Sequence, residues 1–251
     1  DGAKLTATYV SILLATGAGA GFASGLLGVG GGFIMVPVMY WVIAALGIPQ
    51  DIAIRIAFGT SLLVILPTAM SSAWGHSRRN TVRWKAALAL GSCGLFGALA
   101  GAALAARLPG ETLKVGFGGF VLAAALWMGL DMMPKLARGA KEPRDSLGLT
   151  VACGLPIGMV VGLTGLGGGA LIVPTLALAL NFPLHIAIGT SVASIIFTSL
   201  GGIIGYAVNG LGVPALLPYS IGYINLPIWL CLAATSIPLK QLGAKVSHAL
   251  L

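Results

Sequence analysis

Two glycine-rich stretches carry the chemistry that this sequence is best equipped to do. Gly25-Leu-Leu-Gly-Val-Gly-Gly-Gly-Phe-Ile-Met-Val-Pro37 returns as Gly162-Leu-Thr-Gly-Leu-Gly-Gly-Gly-Ala-Leu-Ile-Val-Pro174, with the glycines and the prolines in register at a spacing of 137. Glycine inside a helix costs about 1 kcal/mol relative to alanine. The triplets Gly30, Gly31, Gly32 and Gly167, Gly168, Gly169 therefore read as helix breaks. A new helix is expected after each, at Phe33 and at Ala170. Its first N–H groups and the partial positive charge of its N-terminus suit an anion. Pro37 and Pro174 are expected near the first turn, where a missing N–H costs least. Paired broken helices at corresponding positions point to a transporter binding site. The competing reading is that glycine lets helices cross closely. Gly21, Gly25, Gly158 and Gly162, spaced by four, are assigned to that role. No Lys-Ser/Thr follows the glycines, and no βαβ context surrounds them, so a nucleotide loop is excluded.

A second pair of motifs follows. Arg55-Ile-Ala-Phe-Gly-Thr-Ser61 matches His185-Ile-Ala-Ile-Gly-Thr-Ser191 at a spacing of 130. Thr60, Ser61, Thr190 and Ser191 offer hydroxyl donors beside a glycine that a ligand could approach. The alternative is back-bonding to their own helix or gluing of neighbouring helices. Arg55 and His185 are equivalent cations near a span's end. Either they attract an anion, or Arg55 snorkels to the interface and His185 caps a turn. Gly101-Ala102 resembles Gly243-Ala244 at a spacing of 142, so the second half carries an insertion of about twelve residues, which includes Gly222-Tyr-Ile-Asn225.

What is missing narrows the function. Asp131, near a helix end, is the one acid within the spans, so a carboxylate relay or a metal-cation path has no visible carrier. No paired carboxylates, Ser-His-Asp set or metal-ligand cluster is present, and neither enzyme chemistry nor a cofactor is expected. Cys93, Cys153 and Cys231 sit in apolar spans without CxxC spacing and read as packing residues.

These groups must be positioned by helices in a bilayer. Of 251 residues, 8% are charged, against roughly 25% in a soluble domain. Leu5 to Gln50 and Ser146 to Leu239 contain no Asp, Glu, Lys or Arg, and roughly 20 apolar residues span a membrane. The expected class is an all-α polytopic membrane protein of two homologous repeats, each with a Gly-broken first helix. Repeat 1 covers 1–133, a basic linker 134–145, and repeat 2 146–251. The counterpart of Thr112–Met133 is not found in the second half, so a last helix is expected to be missing from this chain. The net charge of +8 gathers in His76–Lys85 and Lys135–Arg144, which reads as cytoplasmic loops rather than a nucleic-acid surface. The uncharged loop 209–214 favours inverted halves, in which each broken helix turns back; broken helices that cross would make the halves parallel.

The doubled glycine motif, Ala57-Phe-Gly-Thr-Ser61, His185–Ser191 and Gly222–Asn225 together resemble the TauE/SafE sulfite exporter family, also called the toluene-sulfonate uptake permease family. That resemblance implies a secondary transporter in the cell inner membrane. It would move sulfite, sulfoacetate or another organosulfonate by alternating access, with export as the expected direction. It also brings Tyr223 and Asn225 into the expected substrate site. A coupling ion (H⁺ or Na⁺), the lipid bilayer and a homo-oligomer are the expected partners. The alternatives are a membrane-embedded sulfur-handling enzyme or assembly subunit, and a passive anion channel.

Overall fold

The computed structural model describes residues 6–27, 31–129, 147–214 and 216–250; Gly30, Asp131 and the 134–145 linker lie outside the described residues. The helices are α1 (Ala7–Leu27), α2 (Gly32–Ala45), α3 (Gln50–Arg78), α4 (Trp84–Ala105), α5 (Gly110–Gly129), α6 (Leu147–Thr164), α7 (Gly169–Ala179), α8 (Leu184–Asn209) and α9 (Leu226–Leu250). Strands β1 (Ser220–Ile221) and β2 (Ile224–Asn225) form a small antiparallel hairpin before α9. The all-α polytopic class read from the composition is what the chain adopts. Helices α1, α3, α4 and α8 are long and apolar enough to cross a bilayer. Helix α9 runs through Lys240 without a break.

The glycines set the helix approaches. Gly97 and Gly101 of α4 face the Leu155 and Met159 carbonyls of α6, while Gly158 and Gly162 of α6 face the Gly94 and Ala98 carbonyls of α4. A Cβ at any of these four positions would overlap backbone, so the packing role expected for Gly158 and Gly162 holds. Gly21 has the same role: a Cβ there would lie 2.7 Å from Ser236 Cα on α9. Small residues bring helices together this way where lipid offers no hydrophobic drive.

The packing has a regular plan. Helix α1 lies on α9 and α4 on α6; α2 lies on α3 and α7 on α8; α9 lies on α3 and α4 on α8. At the centre α3 packs on α8. Phe58 faces Tyr206, Leu62 faces Gly202, and Ile65 and Ile195 both reach Gly167, so α3 and α8 run antiparallel. Large apolar side chains such as Phe96, Val115, Leu122 and Leu230 point outward from α4, α5 and α9, as a lipid-facing surface requires.

Candidate functional site: two glycine breaks in contact

The second break is built from left-handed glycines. The Gly165 N–H closes α6 on the Val161 carbonyl at 2.9 Å. Gly165, Gly167 and Gly168 then take φ of +67°, +75° and +88°, a region open to glycine at little cost. Helix α7 begins at Gly169, and the Gly168 carbonyl accepts from Leu171 and Ile172 at 3.0 and 2.9 Å. The backbone N–H groups from Leu166 to Ala170 make no hydrogen bond among the described residues. Leu166 to Gly169 are buried. Buried backbone donors are normally paired, and this cluster includes the second glycine triplet that the sequence pattern assigns to an anion.

The first break meets the second. A Cβ on Gly32 would lie 3.2 Å from Leu166 Cα and 3.5 Å from the Gly165 carbonyl oxygen. Gly31 differs from its counterpart Gly168: it has φ −78° and ψ −2°, and its carbonyl accepts from Ile34 and Met35. Both new helices start one residue earlier than expected, at Gly32 and Gly169 rather than Phe33 and Ala170. Pro37 and Pro174 are therefore each the sixth helical residue, in the second turn rather than the first. The reason is that the last glycine of each triplet has helical geometry. Each proline denies its helix the bond to the carbonyl four residues back, Phe33 and Ala170 respectively.

The hydroxyl pairs divide into two jobs. Ser61 Oγ lies 2.7 Å from the Gly165 carbonyl oxygen and 2.8 Å from that of Phe58, so it ties α3 to the second break. Ser191 Oγ donates to the Ile188 carbonyl at 2.9 Å, within its own helix. Thr60 Oγ1 accepts from the Asn225 N–H at 3.1 Å. Thr190 Oγ1 accepts from the Arg83 N–H, also at 3.1 Å. Asn225 and Arg83 are the residues just before α9 and α4. The preceding glycines are required for the same reason: Gly59 faces the Tyr223 carbonyl and Gly189 the Thr81 carbonyl. Each Gly-Thr thus seats the entry to a helix of the other half. Thr60 and Thr190 are fully buried, and neither O–H has an acceptor among the described residues.

The remaining candidates are spread out. The Arg55 guanidinium donates to the Ala105 and Leu108 carbonyls at 3.2 and 2.8 Å, closing the C-terminal end of α4, where a cation is favoured. It also lies 5.7 Å from the Tyr223 ring. His185 is exposed at the start of α8, away from the breaks. Tyr223 is buried, with its N–H on the Tyr206 carbonyl at 3.1 Å. Asn225 is the N-cap of α9: its Oδ1 accepts from the Ile228 N–H at 3.0 Å, and its Nδ2 donates to the Pro218 carbonyl and Ser220 Oγ. Sequence reasoning missed two residues of this core. Tyr206 is fully buried and donates to the Gly162 carbonyl at 2.7 Å, four residues from Leu166. Phe58 lies under Gly165 and stacks with Phe117 at 5.7 Å. The available signal for Tyr206 was a tyrosine inside an uncharged span, whose hydroxyl needs a buried partner.

The sequence also matches known proteins. It is 32% identical to a probable membrane transporter protein of Methanocaldococcus jannaschii over 240 residues, 94% of this chain and 86% of that one. It is 32% identical to a probable membrane transporter protein of Haemophilus influenzae over 252 residues, 97% of this chain and 90% of that one. A third relative, the probable membrane transporter protein YunE of Bacillus subtilis, is 31% identical over 79% of this chain and 78% of its own. No solved structure matches the chain. The profile of the sulfite exporter TauE/SafE family matches residues 13–250, so the chain belongs to that family.

Proposed function

We propose that this multi-pass membrane transporter moves a small sulfur-containing anion, sulfite or an organosulfonate such as sulfoacetate, across the cell inner membrane by alternating access. The observation that carries this reading is the contact of two glycine breaks beside a run of N–H groups, Leu166 to Ala170, that is buried as far as Gly169 and unbonded among the described residues. Such a cluster binds a compact oxyanion without a fixed positive charge. The relatives' names support the transporter class, and the family's name supports the sulfur oxyanion. The inverted arrangement of the halves is supported by the antiparallel packing of α3 on α8 and by the exchange of partners between the two sets of helices. Export is the direction we infer, driven by H⁺ or Na⁺, with a homo-oligomer as the working unit.

The test is transport and binding with purified protein in proteoliposomes. Sulfite, thiosulfate, sulfoacetate, taurine and sulfate are assayed for saturable flux under imposed H⁺ or Na⁺ gradients. The same panel is assayed for thermal stabilisation, where a ligand at a hundred times its Kd adds about 2.7 kcal/mol. At least one sulfur oxyanion is expected to do both. Flux of none, or flux that neither saturates nor responds to a gradient, overturns the proposal.

A further inference from the structure

A cavity of about 530 Å³ opens between the C-terminal part of α3 and α9. Its walls include Ser71, Ser72, His76, Arg78, Lys240 and Gln241, and no carboxylate lines it among the described residues. Lys240 comes from the interior of α9, and its Nζ makes a single hydrogen bond, 3.3 Å to the Thr68 carbonyl. No acid partners Lys240 among the described residues. An ammonium carries three donors, so Lys240 keeps two for another acceptor. A lysine held within an apolar helix without a counter-charge is costly and marks a functional position. Arg78 stacks on the Trp74 ring at 5.1 Å, which holds its guanidinium along the wall. Gln241 Nε2 donates to Ser71 Oγ at 3.2 Å, which ties the two walls together. The inner end of the cavity is Thr68, whose hydroxyl donates to the Ile65 carbonyl at 2.8 Å. Ile65 in turn packs on Gly167. The cavity therefore leads from the basic 76–85 loop to within one helical turn of the second glycine break.

We infer that this cavity is an oxyanion-binding vestibule, with Lys240 as its anchoring cation and the α3–α9 seam as the access route on the basic-loop side. The inference rests on the proposed transport reading for the word access; the oxyanion site stands on the cavity itself. The shared ligand chemistry is a sulfonate, sulfate or phosphate group. It comes either from a free anion or from the headgroup of an anionic lipid.

The experiment places one cysteine, Ser72→Cys, in a chain with Cys93, Cys153 and Cys231 changed to Ala. Labelling by an anionic and by a cationic methanethiosulfonate reagent is followed in phosphatidylcholine nanodiscs, with and without phosphatidylglycerol. Added sulfoacetate or sulfate is expected to protect the thiol from labelling in phosphatidylcholine alone, which assigns a free anion. Protection only when phosphatidylglycerol is present assigns a headgroup. In either case Lys240→Met is expected to remove the protection and to slow the anionic reagent about tenfold relative to the cationic one, as loss of one nearby charge at low effective dielectric predicts. Absence of protection in both membranes, or protection that survives Lys240→Met, overturns the inference. If the cysteine-free chain does not fold, stabilisation of the native chain by sulfate, compared with Lys240→Met, gives the same decision. Flux in the native protein without protection at Ser72→Cys would defeat the vestibule and leave the transport reading intact; protection without flux would do the reverse.

Discussion

The seam between α3 and α9 and the seam between α8 and α4 occupy corresponding places in the two halves, yet their chemistry is opposite. Ser71, Ser72 and Arg78 of α3 fall at the positions of Gly201, Gly202 and Val208 in α8, at the spacing of 130. Lys240 and Gln241 of α9 fall at the positions of Ala98 and Leu99 in α4, at the spacing of 142. The α8–α4 seam is shut by the absence of side chains. Gly201 faces the Leu95 carbonyl, and a Cβ on Gly205 would lie 2.6 Å from that of Ala102. The α3–α9 seam instead carries polar side chains that bridge it and line a cavity. The lesson is that one backbone plan supports a sealed or an open seam, and that residue size and polarity decide between them. Under the proposed alternating-access reading, the difference between these two seams is what the transport cycle has to exchange.

Substitutions can break or sharpen this comparison. The largest effect is expected from Gly201→Leu, which forces a side chain into the Leu95 backbone and should cost about 3 kcal/mol through overpacking. Ser71→Leu, at the corresponding position on the open seam, should stay within about 0.5 kcal/mol. Thermal unfolding in one detergent measures both, and equal losses would show that the seams are alike. The next effect concerns the breaks. Gly168→Ala imposes a Cβ at φ +88° and against Val161, which should cost about 2 kcal/mol. Gly31→Ala has ordinary helical φ and should cost less than half as much by the same measurement. The smallest effect comes from Thr60→Val and Thr190→Val. Each removes the threonine acceptor of one N–H, the buried one of Asn225 or the part-buried one of Arg83, at about 1 kcal/mol. The two losses should agree within about 0.5 kcal/mol, because both junctions are wired the same way. A wide gap between them would undercut the correspondence of the halves.

Much of the plan was legible because duplication doubles the signal. A glycine triplet alone is ambiguous, but two in register with a trailing proline identify a break, and the helices do stop at Leu27 and Thr164 and restart at Gly32 and Gly169. The crossing role of Gly158 and Gly162 followed from their spacing of four. The partners of Thr60, Thr190 and Arg55 were not legible. Each bonds to a backbone group set by the path of a loop or helix end far away in sequence, and backbone groups carry no sequence label. The helix starts were placed one residue late because a triplet does not say which of its glycines already has helical geometry. Lys240 was passed over because a lysine after a long apolar run looks like a helix end, and only the continuation of α9 to Leu250 puts it inside.

The contact of α1 with α9 has a consequence for how the molecule is made. Gly17 and Gly21 need Leu232 and Ser236 as neighbours, and the Thr235 hydroxyl donates to the Leu14 carbonyl at 2.9 Å. At a synthesis rate of about 5–20 residues per second, α1 leaves the ribosome roughly 10–40 s before the residues that cover it. During that interval its glycine face lies open to lipid or to a helper protein. Helix α1 thus enters the membrane long before it finds its place against α9.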